Sequence, residues 1–223
     1  RAVLAQLTRV ELSALHSWQK DWEARYGLRS VESIVLEKPR NGYSPPTVEA
    51  DTPLKTVSIS SIREGSFSPV GCSKNASVPL EKVKTFLIRA NDVFVVRGNG
   101  NRFLTGQAGL AAHDYHDTFY PDLLIRLRFD PDVLAPQLAT AIWNSPPSHV
   151  RLIARAKSTN GIWKINGQDL RSHTLPIPPK PIQVECLEVL ESFSQSRQAC
   201  SQRLQELGNQ KRLCLSRLAG RQQ

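Results

Sequence analysis

The C-terminal segment of the chain places the strongest constraint on its fold. From Ile182 onward, glycine occurs only at positions 208 and 220. Residues at steps of three and four recur along this segment, which is the spacing of a coiled-coil seam on one helix stripe. We therefore predict a long helix over 182–218 with a coiled-coil interface at Leu190, Phe193, Arg197, Cys200, Leu204, Leu207, Lys211, Cys214 and Leu218. Arg197 and Lys211 interrupt the apolar seam, and polar seam residues fix partner and register at some loss of stability.

A second helix is predicted at the start of the chain, over residues 1–26. Its apolar residues recur at helical spacing, and Gly27 is a suitable stop: Leu4, Leu7, Leu15, Trp18, Trp22 and Tyr26. This apolar stripe needs a cover. One interpretation packs it against 182–218 within the chain, and the other leaves the long helix to a second copy.

Between these helices the sequence is typical of a sheet-rich domain. Short runs rich in β-branched and aromatic residues alternate with turn signals, which predicts strands at 31–36, 55–62, 86–89, 93–97, 123–129 and 161–165. Helices are expected at 131–144 and 149–157, and the proline-rich segment 174–181 is expected to be a rigid linker. We predict an α+β protein with an N-terminal amphipathic helix (1–26), a globular sheet-rich domain (27–176) and a coiled-coil helix (177–223).

The charge of the chain is unevenly distributed. There are 29 Lys and Arg against 20 Asp and Glu, a net charge of +9. Within 145–181 the basic residues face only Asp169: Arg151, Arg155, Lys157, Lys164, Arg171 and Lys180. A concentrated basic surplus favours a polyanionic partner, with nucleic acid ahead of membrane. Neither a signal peptide nor an apolar run near the ~20 residues of a membrane span occurs, so we expect a cytoplasmic protein.

The sequence carries no recognisable catalytic or metal-binding motif, so we predict no catalytic residues, no metal and no enzymatic activity. Cys186, Cys200 and Cys214 lie 14 residues apart on one helix stripe, about 21 Å from one to the next, which is too far for shared metal coordination. The run His-Asp-Tyr-His-Asp at 113–117 is interpreted as a polar loop. A metal-dependent hydrolase built on that run is the weaker alternative.

Three polar segments suit contact with DNA. Arg and Asn read guanine and adenine edges, whereas Lys, Ser and Thr suit phosphates. The first segment contains Lys38, Arg40, Asn41, Tyr43 and Ser44. The second contains Arg97, Asn99, Asn101 and Arg102. The third contains Lys157, Ser158, Thr159, Asn160, Trp163 and Lys164, and Arg155 just before it is also a predicted contact.

The order of several segments resembles one family. KTVSISSIREGSF (55–67) is followed by ANDVFVVRGNG (90–100), ARAKSTNGIWKIN (154–166) and LPIPPKPIQVECLEVL (175–190), which leads into the long helix. Over about 31–218 this order is similar to one target-recognition domain plus one spacer helix of a type I restriction–modification specificity (S) subunit. Ala90-Asn91 and Pro181-Ile182-Gln183 depart from the residues usual there.

The resemblance implies a non-catalytic subunit that reads one half of a split double-stranded DNA target. It also implies methyltransferase (M) subunits that bind S-adenosylmethionine, and ATP-driven motor and nuclease (R) subunits, so that this chain needs no cofactor. A whole subunit has two such domains and two spacers. We therefore expect a half-subunit that forms a homodimer or pairs with a second half, or a fragment, which suits a chain without any Met. The alternative function is a coiled-coil assembly module without specific DNA readout.

Overall fold

The predicted α+β class is confirmed by the architecture. The computed structural model describes residues 2–219, and at Thr159 and residues 213–219 it describes the backbone alone. An N-terminal helix is followed by mixed sheets with short helices and then by a long C-terminal helix. Within the described range, every helix is too short or too polar to cross a bilayer.

One long helix precedes the domain in the sequence and the other follows it, and short helices lie between them. The α-helices are α1 (Ala2–Tyr26), α2 (Leu80–Val83), α3 (Pro136–Asn144), α4 (Pro146–Ile153), α5 (Gly167–Arg171) and α6 (Lys180–Ala219). Proline occupies the first turn of α3 and of α4, where its missing N–H costs no helical hydrogen bond. At α5, Asn166 and Asp169 form a reciprocal capping box. Short 3₁₀ helices occur at Val31–Ser33, Ile59–Ser61 and Lys84–Phe86.

The strands are short and form four sheets. In chain order they are β1 (Leu28–Ser30), β2 (Arg40–Asn41), β3 (Lys55–Val57), β4 (Ile62–Arg63), β5 (Ser66–Phe67), β6 (Ser73–Asn75), β7 (Leu87–Ile88), β8 (Val93–Val96), β9 (Gly98–Asn99), β10 (Ala108–Leu110), β11 (Tyr115–Phe119), β12 (Leu124–Leu127), β13 (Lys157–Thr159), β14 (Ile162–Lys164) and β15 (Thr174–Pro176). The central sheet has the order β2-β12-β8-β10-β5-β4, and a second sheet has the order β6-β3-β11-β7. A three-stranded sheet, β13-β14-β9, and the antiparallel pair β1-β15 complete the set.

The central strand β8 divides the core into two layers. Successive side chains of a strand point to opposite faces, so Val93 and Val95 pack with the helices while Phe94 and Val96 face the second sheet. All four are buried. The helical layer includes Trp143, which donates its indole N–H to the Gly106 carbonyl at 2.8 Å. The four apolar side chains of β8 thus contribute to both layers, and the strand lies within the predicted range 93–97.

Helices α1 and α6 pack against each other in antiparallel directions. Strand β1 follows α1 in the chain and β15 precedes α6, and these two strands pair. The C-terminal end of α1 and the N-terminal end of α6, called the inner ends, therefore meet at this pair. Farther out, Glu11 of α1 forms an ion pair with Arg197 of α6. Near the inner ends, Trp22 and Cys186 belong to one buried cluster. The middle of the apolar stripe of α1, at Leu15 and Trp22, is therefore buried within the chain, whereas Tyr26 remains 37% exposed.

Several element predictions need correction. Residues 31–36 are not a strand: β1 ends at Ser30 and a 3₁₀ helix follows. The strand predicted over 55–62 ends at Val57, because Ser61 N–H and hydroxyl both donate to the Ser58 carbonyl and close a turn. The run 113–117 is not merely a loop, since β11 begins at Tyr115. The helix predicted from 131 begins at Pro136.

The proline segment 174–181 is also not a free linker. Its first residues, Thr174–Pro176, form β15 and pair with β1, and α6 begins at Lys180. Gln183 of α6 then bonds back to the domain, accepting from Ala135 N–H at 3.0 Å and donating to the carbonyls of Val133 and Pro178 at 2.9 Å. The base of α6 is thereby fixed on the domain. The proposed domain boundaries at 26/27 and 176/177 stay predictions.

Candidate nucleic-acid interface

The third polar segment forms a tight β-hairpin. Strands β13 and β14 pair in the register Lys157↔Lys164, Ser158↔Trp163 and Thr159↔Ile162. This leaves Asn160 and Gly161 as a two-residue turn, with φ of 51° and 75°. Left-handed conformation at both positions is what an Asn-Gly hairpin turn requires. The hairpin is therefore encoded locally, and its tip is exposed.

Two lysines lie directly opposite each other on this hairpin. Lys157 and Lys164 occupy paired positions, and both side chains are exposed. Like charges in directly opposed strand positions are destabilising, on a scale of about 0.2–1 kcal/mol. Among the described residues, no carboxylate forms an ion pair with either ammonium group. An anion bound between them would remove the repulsion.

The second polar segment lies beside this hairpin. Strand β9 pairs with β14, so that Asn99 is opposite Trp163 and Gly98 is opposite Lys164. The Arg102 guanidinium lies 4.7 Å from the centroid of the Trp163 ring, and its Nη2 donates to the Ile153 carbonyl at 3.2 Å. Cation–π stacking holds the two segments together.

The side chains of Asn99 and Asn101 have a local role that the sequence did not reveal. Asn99 Oδ1 accepts the Asn101 N–H at 2.8 Å, and Asn101 Oδ1 accepts the Phe103 N–H at 2.9 Å. These bonds shape the turn after β9. Asn160, in contrast, is exposed at the tip of the hairpin turn, so its amide is accessible to a ligand.

The first polar segment is linked to the second through Asp122. Ser44 Oγ accepts the Asp122 N–H at 3.0 Å and donates to its carboxylate. Arg97 lies on the other side of the same carboxylate, with Nη1 3.7 Å from Oδ2 and 3.4 Å from the Asp122 carbonyl. The three polar segments thus form one connected surface. The sequence did not single out Asp122, which comes from the turn before β12.

An aromatic stack supports the first segment. The Tyr43 and Phe86 rings stack with centroids 6.1 Å apart, and the Arg40 guanidinium lies 4.4 Å from the Phe86 centroid. Arg40 also donates to Thr85 Oγ1 at 3.1 Å. Lys38 and Asn41 are exposed beside this stack. Tyr43 keeps 38% of its surface exposed, so it can contact a ligand.

A buried charge cluster lies beneath this surface. Arg126 and Asp92 are almost fully buried, and Arg128 Nε donates to Asp92 at 2.6 Å. Arg126 Nη2 donates to Glu37 at 2.7 Å. Nearby, burial raises the pKa of Tyr120 to about 12, although Arg126 opposes the shift. These groups compensate one another, so they position β12 rather than contact a ligand.

Arg155 and Ser158 flank the hairpin. Arg155 Nη1 donates to Ser172 Oγ at 2.5 Å and to the Asp169 carbonyl at 3.3 Å, although the residue remains exposed. Ser158 is exposed on β13. For Thr159 the described structure covers the backbone position, which is the last residue of β13.

The predicted coiled-coil residues differ in environment along α6. The first four are partly buried: Leu190, Phe193, Arg197 and Cys200. The next three are exposed: Leu204, Leu207 and Lys211. The side chains of Cys214 and Leu218 lie outside the described residues. Packing on α1 and the domain therefore accounts for the first half of the predicted interface.

No grouping of three or more His, Cys, Asp and Glu side chains within the described residues could hold a metal ion. In the run 113–117, Asp114 accepts the Ala90 N–H at 2.8 Å and Asp117 accepts the Thr118 hydroxyl at 2.8 Å. Two of its carboxylates thus serve the local strand structure.

Comparison with known proteins bears on the whole chain. No protein-family model matches it. The type I restriction enzyme EcoKI specificity subunit of Escherichia coli (strain K12) is 29% identical over 170 residues, covering 74% of this chain. The match covers 35% of that subunit, so the chain spans about a third of this curated relative's length. The resemblance to type I specificity subunits indicated by the sequence motifs is thereby confirmed.

Similarity to solved structures concerns the fold alone. A chain from a solved type I restriction–modification system has a TM-score of 0.52 at 17% identity, covering 89% of this chain and 50% of its own length. The S subunit of M. genitalium has a TM-score of 0.47 at 20% identity, covering 75% and 38%. The HsdS subunit of Thermoanaerobacter tengcongensis has a TM-score of 0.47 at 14% identity, covering 89% and 49%.

Proposed function

We propose that this chain recognises a specific sequence in double-stranded DNA, as a half or a fragment of a type I restriction–modification specificity subunit. It has no catalytic role in this proposal. It directs adenine methylation and restriction by partner M and R subunits, which bind S-adenosylmethionine and ATP. Such a complex would work in the cytoplasm. The resemblance to specificity subunits supports the family assignment, and the connected polar surface supports the place of DNA contact.

The opposed lysines are the observation that carries the site assignment. Lys157 and Lys164 repel each other across an exposed two-stranded ribbon. A two-stranded ribbon fits the major groove of B-DNA, where flanking phosphates would lie against its edges. Phosphate contact then relieves the repulsion and releases counterions.

Within this geometry, Asn160 at the hairpin tip is the best candidate for reading a base. An Asn amide pairs bidentately with adenine N6 and N7, and needs both its donor and its acceptor to do so. The acceptor atoms of Asn99 and Asn101 already bond to backbone N–H groups. Arg97 is held by Asp122, and it can turn toward guanine by exchanging that partner.

Selection from a random duplex pool by the full chain tests the proposal. We expect one enriched sequence with steeply salt-dependent affinity. The change Asn160→Ala should relax preference at one position, because it removes a base contact of about 1–3 kcal/mol. The change Lys157→Ala should weaken all duplexes alike and lower the salt slope by about 0.9.

Lys211→Ala is the matched control for charge. Lys211 is exposed on α6, about 46 Å along the helix from Lys180. It should leave affinity and sequence preference unchanged. Equal enrichment of all sequences, or equal effects of Lys157→Ala and Lys211→Ala, would contradict DNA recognition by this surface.

A second candidate function is protein assembly through the outer half of α6. Leu204 and Leu207 are 37% and 47% exposed at predicted seam positions, and an M subunit, a second copy or a second half-subunit could cover them. Light scattering should compare the chain with a version ending at Cys200. A cut at 182 is unsuitable because Gln183 and Cys186 are buried in the domain. A chain that assembles through this segment and never binds DNA would favour assembly alone.

A further inference from the structure

The most exposed aromatic side chain beside the three polar segments, Phe103, is not one of the predicted contacts. Phe103 is 68% exposed, and its neighbour Leu104 is 45% exposed, in the turn after β9. Ile162 of the adjoining hairpin is 39% exposed. Single exposed apolar residues are ordinary, as Val70 illustrates at 83%. Phe103 differs because it lies next to a cationic surface on a turn that is firmly held.

Hydrogen bonds fix this turn from both ends. Asn101 holds the Phe103 N–H through its side chain and the Leu104 N–H, at 3.1 Å, through its carbonyl. Thr105 is buried and donates its hydroxyl to the Trp163 carbonyl at 3.3 Å. The Thr105 carbonyl is 2.9 Å from His149 Nε2. The Phe103 side chain is thus presented to solvent by a backbone anchored to both the hairpin and α4.

The segments next to Phe103 carry basic residues. Arg102 precedes it and stacks on Trp163, while Lys164 lies beside Gly98 on the paired strand. An apolar tip on a basic surface suits a duplex, in which a base stack lies between two phosphate backbones. Proteins that bind the minor groove insert Phe or Leu between base steps, unstacking them and kinking the duplex by about 20–90°.

We propose that Phe103, with Leu104 beside it, is a wedge that enters the base stack of the bound duplex and kinks it. This inference rests on the proposed DNA-recognition function. The anchored turn resists the force of insertion, and the exposed Lys164 of the adjoining hairpin suits contact with a phosphate. The wedge makes sequence preference depend on how readily a base step unstacks, at positions no side chain reads.

The test uses the full chain and a duplex enriched from the random pool by the wild-type protein. Single 2-aminopurine substitutions across the site report unstacking, and dyes at both ends report bending. With wild type at saturation, we expect fluorescence to rise about threefold or more at one or two adjacent positions. The end-to-end distance should shorten at the same time.

Variants separate the wedge from binding. Phe103→Ala should abolish both signals while weakening affinity by no more than about tenfold, and Phe103→Leu should keep part of each, since Leu also serves as a wedge. Val70→Ala, at another exposed apolar site, should behave as wild type. Because Phe103 is exposed, its variants should unfold at the wild-type temperature. If Phe103→Ala binds too weakly to reach saturation, Phe103→Leu decides the test. A Phe103→Leu variant whose fluorescence and bending signals do not lie between those of wild type and free DNA would overturn the wedge.

The failures are distinguishable. Wild type that binds the duplex without unstacking it, or Phe103→Ala that distorts DNA as wild type does, overturns the wedge and leaves DNA recognition intact. The exposed Phe103 would then face a partner protein. Wild type that binds no duplex at low salt overturns both proposals.

Discussion

Lys157 and Lys164 stand directly opposite each other in the β13–β14 hairpin, with both ammonium groups exposed. Opposed like charges lower the stability of a strand pair, and these two lie in the most basic segment of the chain. A ligand-binding surface often carries such a cost, because charges placed for a ligand repel each other in its absence.

The first prediction is that Lys157→Thr stabilises the free protein and weakens DNA binding. Removing one cation ends the repulsion, and Thr suits a strand, so the free energy of unfolding should rise by about 0.5 kcal/mol at low salt. High salt should shrink this gain, because it screens exposed charges. Urea unfolding at two salt concentrations, together with duplex titration, checks both effects.

Lys74→Thr on β6 is the control, since Lys74 faces Thr56 rather than a cation. It should show no salt-dependent gain. Destabilisation by Lys157→Thr at low salt would mean that the two ammonium groups point away from each other.

The second prediction concerns the buried carboxylate of Asp92. It accepts from Arg128 Nε at 2.6 Å and from the Arg89 N–H at 2.9 Å, and Arg126 lies 4.0 Å away. Asp92→Asn removes the fully buried carboxylate and leaves Glu37 as the one carboxylate shared by Arg126 and Arg128, so the free energy of unfolding should fall by about 3–5 kcal/mol. Chemical denaturation measures this. Asp132→Asn, at an exposed position, should change stability little, and similar losses in both variants would rule out the charge cluster as the cause.

Helical and wholly buried strand segments of this fold are readable from the sequence. The periodicity of apolar residues predicts α1 and α6, and the apolar run within 93–97 predicts the strand β8. The same reasoning gives a wrong prediction for Ser58–Ser61. Its alternation suggests one continuous strand, but hydroxyl and backbone N–H groups bond to the Ser58 carbonyl instead. Local side-chain hydrogen bonds compete with sheet pairing in ways that alternation does not reveal.

The sequence indicated which types of residue form the candidate site, but it did not indicate how these residues are arranged. Arg, Asn and Lys in polar segments suggested DNA contact, and the Asn160-Gly161 turn has a local signature. The link from Ser44 through Asp122 to Arg97 joins residues far apart in the chain. Only tertiary packing creates it. The capture of the Asn99 and Asn101 oxygens by backbone groups depends on turn geometry, which residue type alone does not determine.

The third prediction is that the cysteines of α6 react at different rates. Burial raises the pKa of the Cys186 thiol to about 11, with a smaller contribution from Glu185. Since the thiolate is the reactive form, Cys186 should resist alkylation at pH 8 in the folded protein. Cys200 is only half-buried and should react first of the two. Mass spectrometry of peptides after timed iodoacetamide treatment measures both rates.

Denaturant provides the control for this comparison. In the unfolded chain the two thiols should react at similar rates, because the burial that separates them is gone. Faster reaction of Cys186 than of Cys200 in the folded chain would contradict the packing of α6 on the domain.

The fourth prediction is a loss of stability in mild acid caused by His173. Burial lowers the pKa of His173 to about 3, and the nearby charges of Arg151 and Arg155 add to the shift. Its ring nitrogen bonds Ser148 Oγ at 2.9 Å, and its ring packs on Trp143. Because the unfolded chain binds this proton near pH 6.5 and the folded chain does not, the stabilisation is present above that pH. It should be lost by up to about 1.4 kcal/mol for each pH unit between about 6.5 and 3.

His173→Gln isolates this contribution from that of the carboxylates. The variant should be less stable at pH 7 because packing on Trp143 changes. Between pH 4 and 6.5, however, its unfolding free energy should depend less steeply on pH, because unfolding takes up nearly one proton fewer than in the wild type. The remaining slope contains a smaller part from His149, whose pKa burial also lowers. His113→Gln, at an exposed position, should keep the wild-type slope. Urea unfolding curves at half-unit pH steps measure all three proteins, and an unchanged slope in His173→Gln would show that the buried ring is protonated in the folded state.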